Sequence, residues 1–256
     1  MNKIERPIGL HNAVRVIEDI CANCIPYENT RVAPMLIELE AGNGQTTFAR
    51  YAAQMLIEYK IRQVVGLNTF LEFTVDTRKE RIQFMFGEIA SAAQGVNNYE
   101  SVVAMDITAL GECVHEEQTD YFLNRIQDIS KYAVVLLYLS PSKVKSAAKY
   151  NMLKDKLMAN INDLQFVKEE PYTVSELTQM VMAKIDDYGI DIADETVFAE
   201  KLEQIVANRK LTYARETIAV AEALANQALV SRLTAVLSVA CADKAFPDIL
   251  KKGGIC

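Results

Sequence analysis

The sequence predicts an α/β protein in which a mostly parallel sheet is sandwiched by helices and a small all-helical domain follows. Two patterns carry this reading. Short strand-like apolar runs alternate with stretches of helical periodicity up to about residue 168, and strands separated by helices of this length imply βαβ units and parallel pairing. Beyond Lys168-Glu169-Glu170-Pro171 no strand signal remains and helical patterning takes over. The composition agrees. At 256 residues, 50% hydrophobic and 24% charged, the chain is long enough for one large or two modest cores and has the balance of a globular protein.

An amphipathic run ends near Cys24, with Pro26 just beyond as a helix stop. Strands are expected over Met35–Glu40, Arg62–Leu67, Ser101–Asp106, Ala133–Ser140 and, more weakly, Asp163–Val167. The unbroken apolar run Val134–Leu139 suits a strand buried on both faces. Helices are expected between them over Thr46–Tyr59, Thr77–Ala93, Glu116–Ser130 and Lys143–Met158. In the second part, Thr173-Val-Ser-Glu176 reads as a capping box opening a helix that Tyr188-Gly189 ends. Helices Asp194–Ala207 and Leu211–Asn226 follow, the latter running on into Ala228–Cys241.

Charge and composition exclude several function classes. A net charge of -7 argues against a general electrostatic grip on nucleic acid or an anionic membrane. No apolar run approaches the roughly 20 residues of a membrane span, and the opening MNKIERPIGL lacks a signal-peptide segment, so a cytoplasmic protein is expected. With His11 and His115 the only histidines, His-based catalysis has little material. Cys21 and Cys24 are spaced like a redox or zinc pair, but they fall at a helix C-terminus and have no second ligand pair. No structural metal is expected.

The segment joining the first strand to the next helix is the most informative. Leu39-Glu-Ala-Gly42-Asn43-Gly44-Gln45-Thr46-Thr47 is a strand, a glycine turn and a helix opening with threonines. Such a turn aims backbone N–H groups and a helix N-terminus at an anion, while a Thr hydroxyl can hold Mg²⁺. Against the pattern GxxxxGK[ST], the first Gly is Leu39 and the Lys is Gln45. On this segment alone, a phosphate cradle and a plain strand–helix turn are both open.

Taken over nearly its whole length, the chain resembles the AAA+ ATPases. Within them it is similar to the group of stage V sporulation protein K and the red-type Rubisco activases (the CbxX/CfxQ family). Ile8-Gly9-Leu10 with Val14 is similar to that family's opening over the adenine, and Gly42–Arg50 to its phosphate loop. Val102–Asp106 is similar to the Walker B strand, Leu137–Ser140 to the end of the sensor-1 strand, and Pro171-Tyr172-Thr173 with Glu176-Leu177 to the start of the lid. Ala214-Arg215, Asn226–Ala228 and Arg232 resemble the sensor-2 helix. The resemblance implies a P-loop NTPase-like α/β nucleotide-binding domain over 1–168 and a helical lid over 169–256. It implies an ATP or ADP site built from Gly9, Leu10, Gly42, Asn43, Gly44, Gln45, Thr46, Thr47, Ser140 and Arg215. Thr46 and Asp106 would hold Mg²⁺.

The departures from the family bear on chemistry. Gln45 stands for the Lys that neutralises the β- and γ-phosphates, Ile107 for the water-activating Glu, and Asn160 for the arginine finger. Gln brings no charge, an alkyl chain accepts no proton, and a finger is worth orders of magnitude in rate. No catalytic residue is therefore expected. The reading is a degenerate AAA+ protein that binds nucleotide weakly or not at all and serves as a scaffold, a regulator or a non-catalytic subunit. Its partner would be a protein, either an active AAA+ subunit or a client, with no nucleic acid or membrane. One alternative is an active, atypical ATPase that remodels a protein client, with Glu116 or Glu117 as base and Arg125 or Arg209 supplied across an interface. Another is an interaction module independent of nucleotide. Blander roles stand beside the sites: Asp106 as a turn cap, Ser140 as the start of the turn at Pro141, and Arg215 as a surface ion pair.

Overall fold

The computed structural model describes residues 5–24, 32–61, 70–94, 102–113, 116–230 and 236–237. The chain divides into two compact units, Met1–Glu170 and Pro171–Cys256.

In the first unit the strands are β1 (Met35–Glu38), β2 (Phe70–Thr74), β3 (Val102–Asp106), β4 (Val134–Leu139) and β5 (Gln165–Lys168). They form one five-stranded sheet in the order β2-β3-β4-β1-β5, and every pairing is parallel. Helix α1 (His11–Asn23) precedes the first strand, and α2 (Gln45–Glu58), α3 (Lys79–Gln94), α4 (Glu116–Ile129) and α5 (Ala147–Asn160) make the crossovers. Side chains alternate across the sheet. Leu36, Val103, Met105, Val135 and Leu137 meet Ile82, Phe86, Phe122, Ile126 and Leu157 of α3, α4 and α5 in one core. On the other face α2 packs on β2 and β3, and α1 on α2 and β5. All of β4 is buried, as its unbroken apolar run requires.

The strand expected over 62–67 lies outside the described residues. The sheet takes its edge strand from Phe70–Thr74, which the sequence reading passed over. Its Glu72 and Thr74 are exposed, and a solvated edge needs no continuous apolar run. The helix expected from Lys143 begins at Ala147, where the Ser146 side chain accepts from Lys149 N. Pro141–Lys143 forms a 3₁₀ turn ahead of it.

The second unit holds α6 (Val174–Asp187), β6 (Asp191–Ile192), α7 (Glu195–Arg209), α8 (Ala214–Val230) and β7 (Val236–Leu237). Val181, Ile185, Phe198, Leu202, Val220, Ala221 and Leu224 make its core. The predicted capping box is present, since Glu176 N donates to Thr173 Oγ1 at 3.2 Å and Thr173 N to Glu176 Oε2 at 2.7 Å. The expectation of no further strand is corrected, because β6 and β7 pair in parallel. A strand of this length offers no periodicity to read. The helix expected to run on to Cys241 is corrected by β7, which lies within that stretch, and Cys241 lies outside the described residues.

Candidate functional site

Parallel strands place their C-terminal ends on one edge, and loops that bind ligands in open α/β sheets gather there. Here the segments after β1, β3 and β4 are tied together at that edge. Leu39 N donates to Leu139 O at 3.1 Å, and Ile107 N to Tyr138 O at 2.9 Å. The glycine loop leaves β1 and turns into α2. Gly42 and Gly44 both sit at φ 91°, a left-handed backbone open to glycine without strain. Gly44 is the N-cap of α2 and supplies no side-chain bond to the first turn, which also carries no acidic residue. The loop thus has the backbone shape of an anion cradle.

The side chains around it have a different character. Thr46 Oγ1 donates to the Glu72 carboxylate of β2, at 2.8 Å and 3.0 Å to its two oxygens. Glu40, inside the loop, accepts from Ser140 Oγ at 2.6 Å and from Ser142 N at 3.2 Å, and Ser142 Oγ donates to it as well. Ser140 is fully buried. Its N–H donates to Thr108 Oγ1 at 3.0 Å, and its hydroxyl oxygen accepts from Ala41 N at 3.3 Å. Gln45 has its Nε2 buried without a hydrogen-bond partner, while its backbone oxygen accepts from Tyr138 OH at 2.9 Å. Tyr138 is buried, and burial together with the Glu72 charge pushes its phenol well above the ordinary value. It stays a neutral donor that anchors the start of α2 from below. Asn43 is buried and Thr47 exposed.

Asp106 ends β3 and accepts from Thr108 N at 3.0 Å, so its carboxylate caps the next turn. Ile107 is fully buried in the core with α3, α4 and α5, and no basic group stands in its place. Asn160 closes α5. Its Nδ2 donates to Lys156 O at 2.7 Å, and its carbonyl accepts from Gln127 of α4. Arg125, the alternative finger, lies over the Phe86 ring at 5.8 Å.

At the start of α1, Gly9 and Leu10 are both left-handed, at φ 69° and 53°, and both are buried. For Leu such a backbone costs about 1 kcal/mol. The end of β5 holds this corner. Asn12 Nδ2 donates to Lys168 O at 2.7 Å, Asn12 N to Glu169 at 3.4 Å, and Ala13 N to Glu169. Burial pushes the Glu169 carboxyl above its ordinary value, opposed by those amide bonds. Further along α1, Cys21 is buried and free, and burial raises its thiol to about 11. That thiol stays protonated and unreactive.

The sequence-predicted residues Gly42, Asn43, Gly44, Gln45, Thr46, Thr47, Ser140 and Asp106 therefore belong to one edge of the first unit. Arg215 lies in the second unit, exposed in the first turn of α8. Its neighbour Glu216 accepts from the backbone of Thr212 and Tyr213 at 3.2 Å and 3.3 Å. Sequence reasoning missed Glu72, Glu40, Ser142, Thr108 and Tyr138. Only Glu72 carried a signal, a lone charge between apolar neighbours in Phe70-Leu-Glu-Phe. As they stand, these side chains do not fit a magnesium-bound triphosphate. Gln45 is neutral, the Thr46 hydroxyl is committed to the Glu72 carboxylate, and a second carboxylate, Glu40, stands within the loop.

No protein-family model matches the sequence, and no curated protein matches it. Solved structures do match. A RuvB variant of Thermotoga maritima superposes with a TM-score of 0.61 at 12% identity, over 94% of this chain and 70% of that one. Domain III of the Thermotoga maritima replication initiation protein DnaA gives 0.60 at 14% identity, over 98% and 95%. C. elegans PCH-2 gives 0.59 at 13% identity, over 98% and 72%. At these identities the likeness is one of fold. The chain has the α/β fold of the AAA+ P-loop NTPases, with a helical C-terminal domain.

Proposed function

We propose that this protein is an AAA+-fold protein that no longer hydrolyses ATP, binds nucleotide weakly or not at all, and acts through protein contacts. It would serve as a cytoplasmic scaffold, regulator or non-catalytic subunit beside an active AAA+ partner or a client. Its motif order resembles that of the group of stage V sporulation protein K and the red-type activases, and the reading places it among their relatives. The observation that carries the reading is the Thr46 hydroxyl held by Glu72, next to a neutral Gln45 and behind a buried Ile107. Phosphoryl transfer rests on positioning and on stabilising charge. The two charged side chains bonded at the glycine loop, Glu40 and Glu72, are carboxylates, and the position of the base is alkyl.

The same residues weigh against the atypical ATPase. Arg125, one candidate for the finger, is packed on an aromatic ring. A fully nucleotide-independent module remains the second reading, favoured by Glu40 bonded within the loop. Titration calorimetry with ATP and with ADP, both with Mg²⁺, tests the proposal. The expected outcome is no binding tighter than about 0.1 mM. Micromolar, Mg²⁺-dependent binding would overturn it.

A further inference from the structure

Beside the positions compared with the family's motifs, the site holds a further carboxylate. Glu72 is the third residue of the edge strand β2, beside Ala104 of β3 in the register. It lies on the face of the sheet that α2 covers. From there its carboxylate accepts the Thr46 hydroxyl proton through both oxygens. Thr46 is the second residue of α2, so the carboxylate stands at the positive end of the helix dipole, where an anionic ligand would otherwise be drawn.

We propose that Glu72 is an internal anion that occupies the mouth of the glycine loop and determines its specificity, excluding polyphosphate ligands. This rests on the reading of the site given above and deepens it. Several features cooperate. The Thr46 hydroxyl is satisfied by a group of the chain itself. A triphosphate reaching the loop meets a like charge, and no lysine offsets it because Gln45 is neutral. The Gln45 amide nitrogen is buried without a hydrogen-bond partner. Tyr138 holds the backbone of Gln45 in place, which keeps Thr46 in register with β2. Glu40 repeats the arrangement on the far side of the loop through Ser140 and Ser142. The contact to Thr46 is exposed, so the barrier is electrostatic and local, and a charge-removing substitution should lift it.

The experiment measures Mg²⁺-ADP and Mg²⁺-ATP binding to the full chain by calorimetry, for wild type, Glu72→Gln and Glu72→Ala, with thermal melts to confirm folding. Gln keeps the shape and hydrogen-bonding ability of the side chain and removes its charge, so it guards against a misfolded Ala variant. The expected result is affinity at least about tenfold tighter in Glu72→Gln than in wild type, as removing a like charge a few ångströms from phosphate predicts. Unchanged affinity in Glu72→Gln overturns the inference. Weaker affinity overturns it too, since that would make Glu72 a metal ligand. These outcomes are separable from failure of the functional reading. Micromolar binding by the wild type sinks that reading, whereas weak binding by wild type and variant alike sinks only the role of Glu72.

Discussion

At the scale of single residues, the C-terminal edge of the sheet is organised by carboxylates that bond to the chain itself. Glu40 holds Ser140 and Ser142, Glu72 holds Thr46, Asp106 caps the turn at Thr108, and Glu169 holds the first amides of α1. Glu169 gives the most direct test of this bonding. Removing it in Glu169→Ala frees backbone donors at a half-buried helix start and should cost about 1–2 kcal/mol in urea unfolding. Its pH dependence has a defined sign. Burial raises the folded carboxyl above the ordinary 4.5, so the folded state holds the proton more tightly than the unfolded one. The stabilisation linked to that proton is full below the ordinary value and is lost as pH rises through the raised one. Glu169→Gln lacks it, so the wild-type advantage in Tm over this variant should be larger near pH 4 than near pH 7. An advantage that grows toward neutral pH would contradict the assignment.

At the scale of elements, what could be read in the sequence followed the strength of local signals. The buried β4, the glycine turn into α2 and the capping box at Thr173 were legible, because each rests on a pattern within a few residues. The edge strand β2 and the β6–β7 pair were not. Partial exposure removes the apolar run from β2, and strands as short as Asp191–Ile192 are made by pairing partners distant in sequence. The site was legible as a loop but not as a network. Leu39, Gln45 and Ile107 could be compared with a pattern, whereas Glu72 lies 26 residues beyond Thr46 and meets it only because β2 stands beside α2. The capping box offers a clean check at this scale. Thr173→Ala removes the acceptor of Glu176 N and should destabilise the helical unit by about 1 kcal/mol. Chemical denaturation monitored by circular dichroism measures it, and a change below a few tenths would show that the box contributes nothing.

At the scale of the whole molecule, the proposed function separates the fold from its chemistry. The sheet order, the crossover helices and the helical unit are those of an AAA+ P-loop NTPase, and RuvB, DnaA domain III and PCH-2 share the architecture. On the proposed reading, the positions that would make such a fold an engine are held by residues serving the chain's own structure. Ile107 fills the core between strands and helices, Asn160 ties α5 to α4, and Glu72 accepts from the Thr46 hydroxyl. Fold alone does not fix activity. The most direct measurement is steady-state phosphate release from Mg²⁺-ATP by the purified chain, with Asp106→Ala alongside. The account predicts no release above the enzyme-free rate in either protein. Mg²⁺-dependent turnover by the wild type that Asp106→Ala abolishes would contradict it.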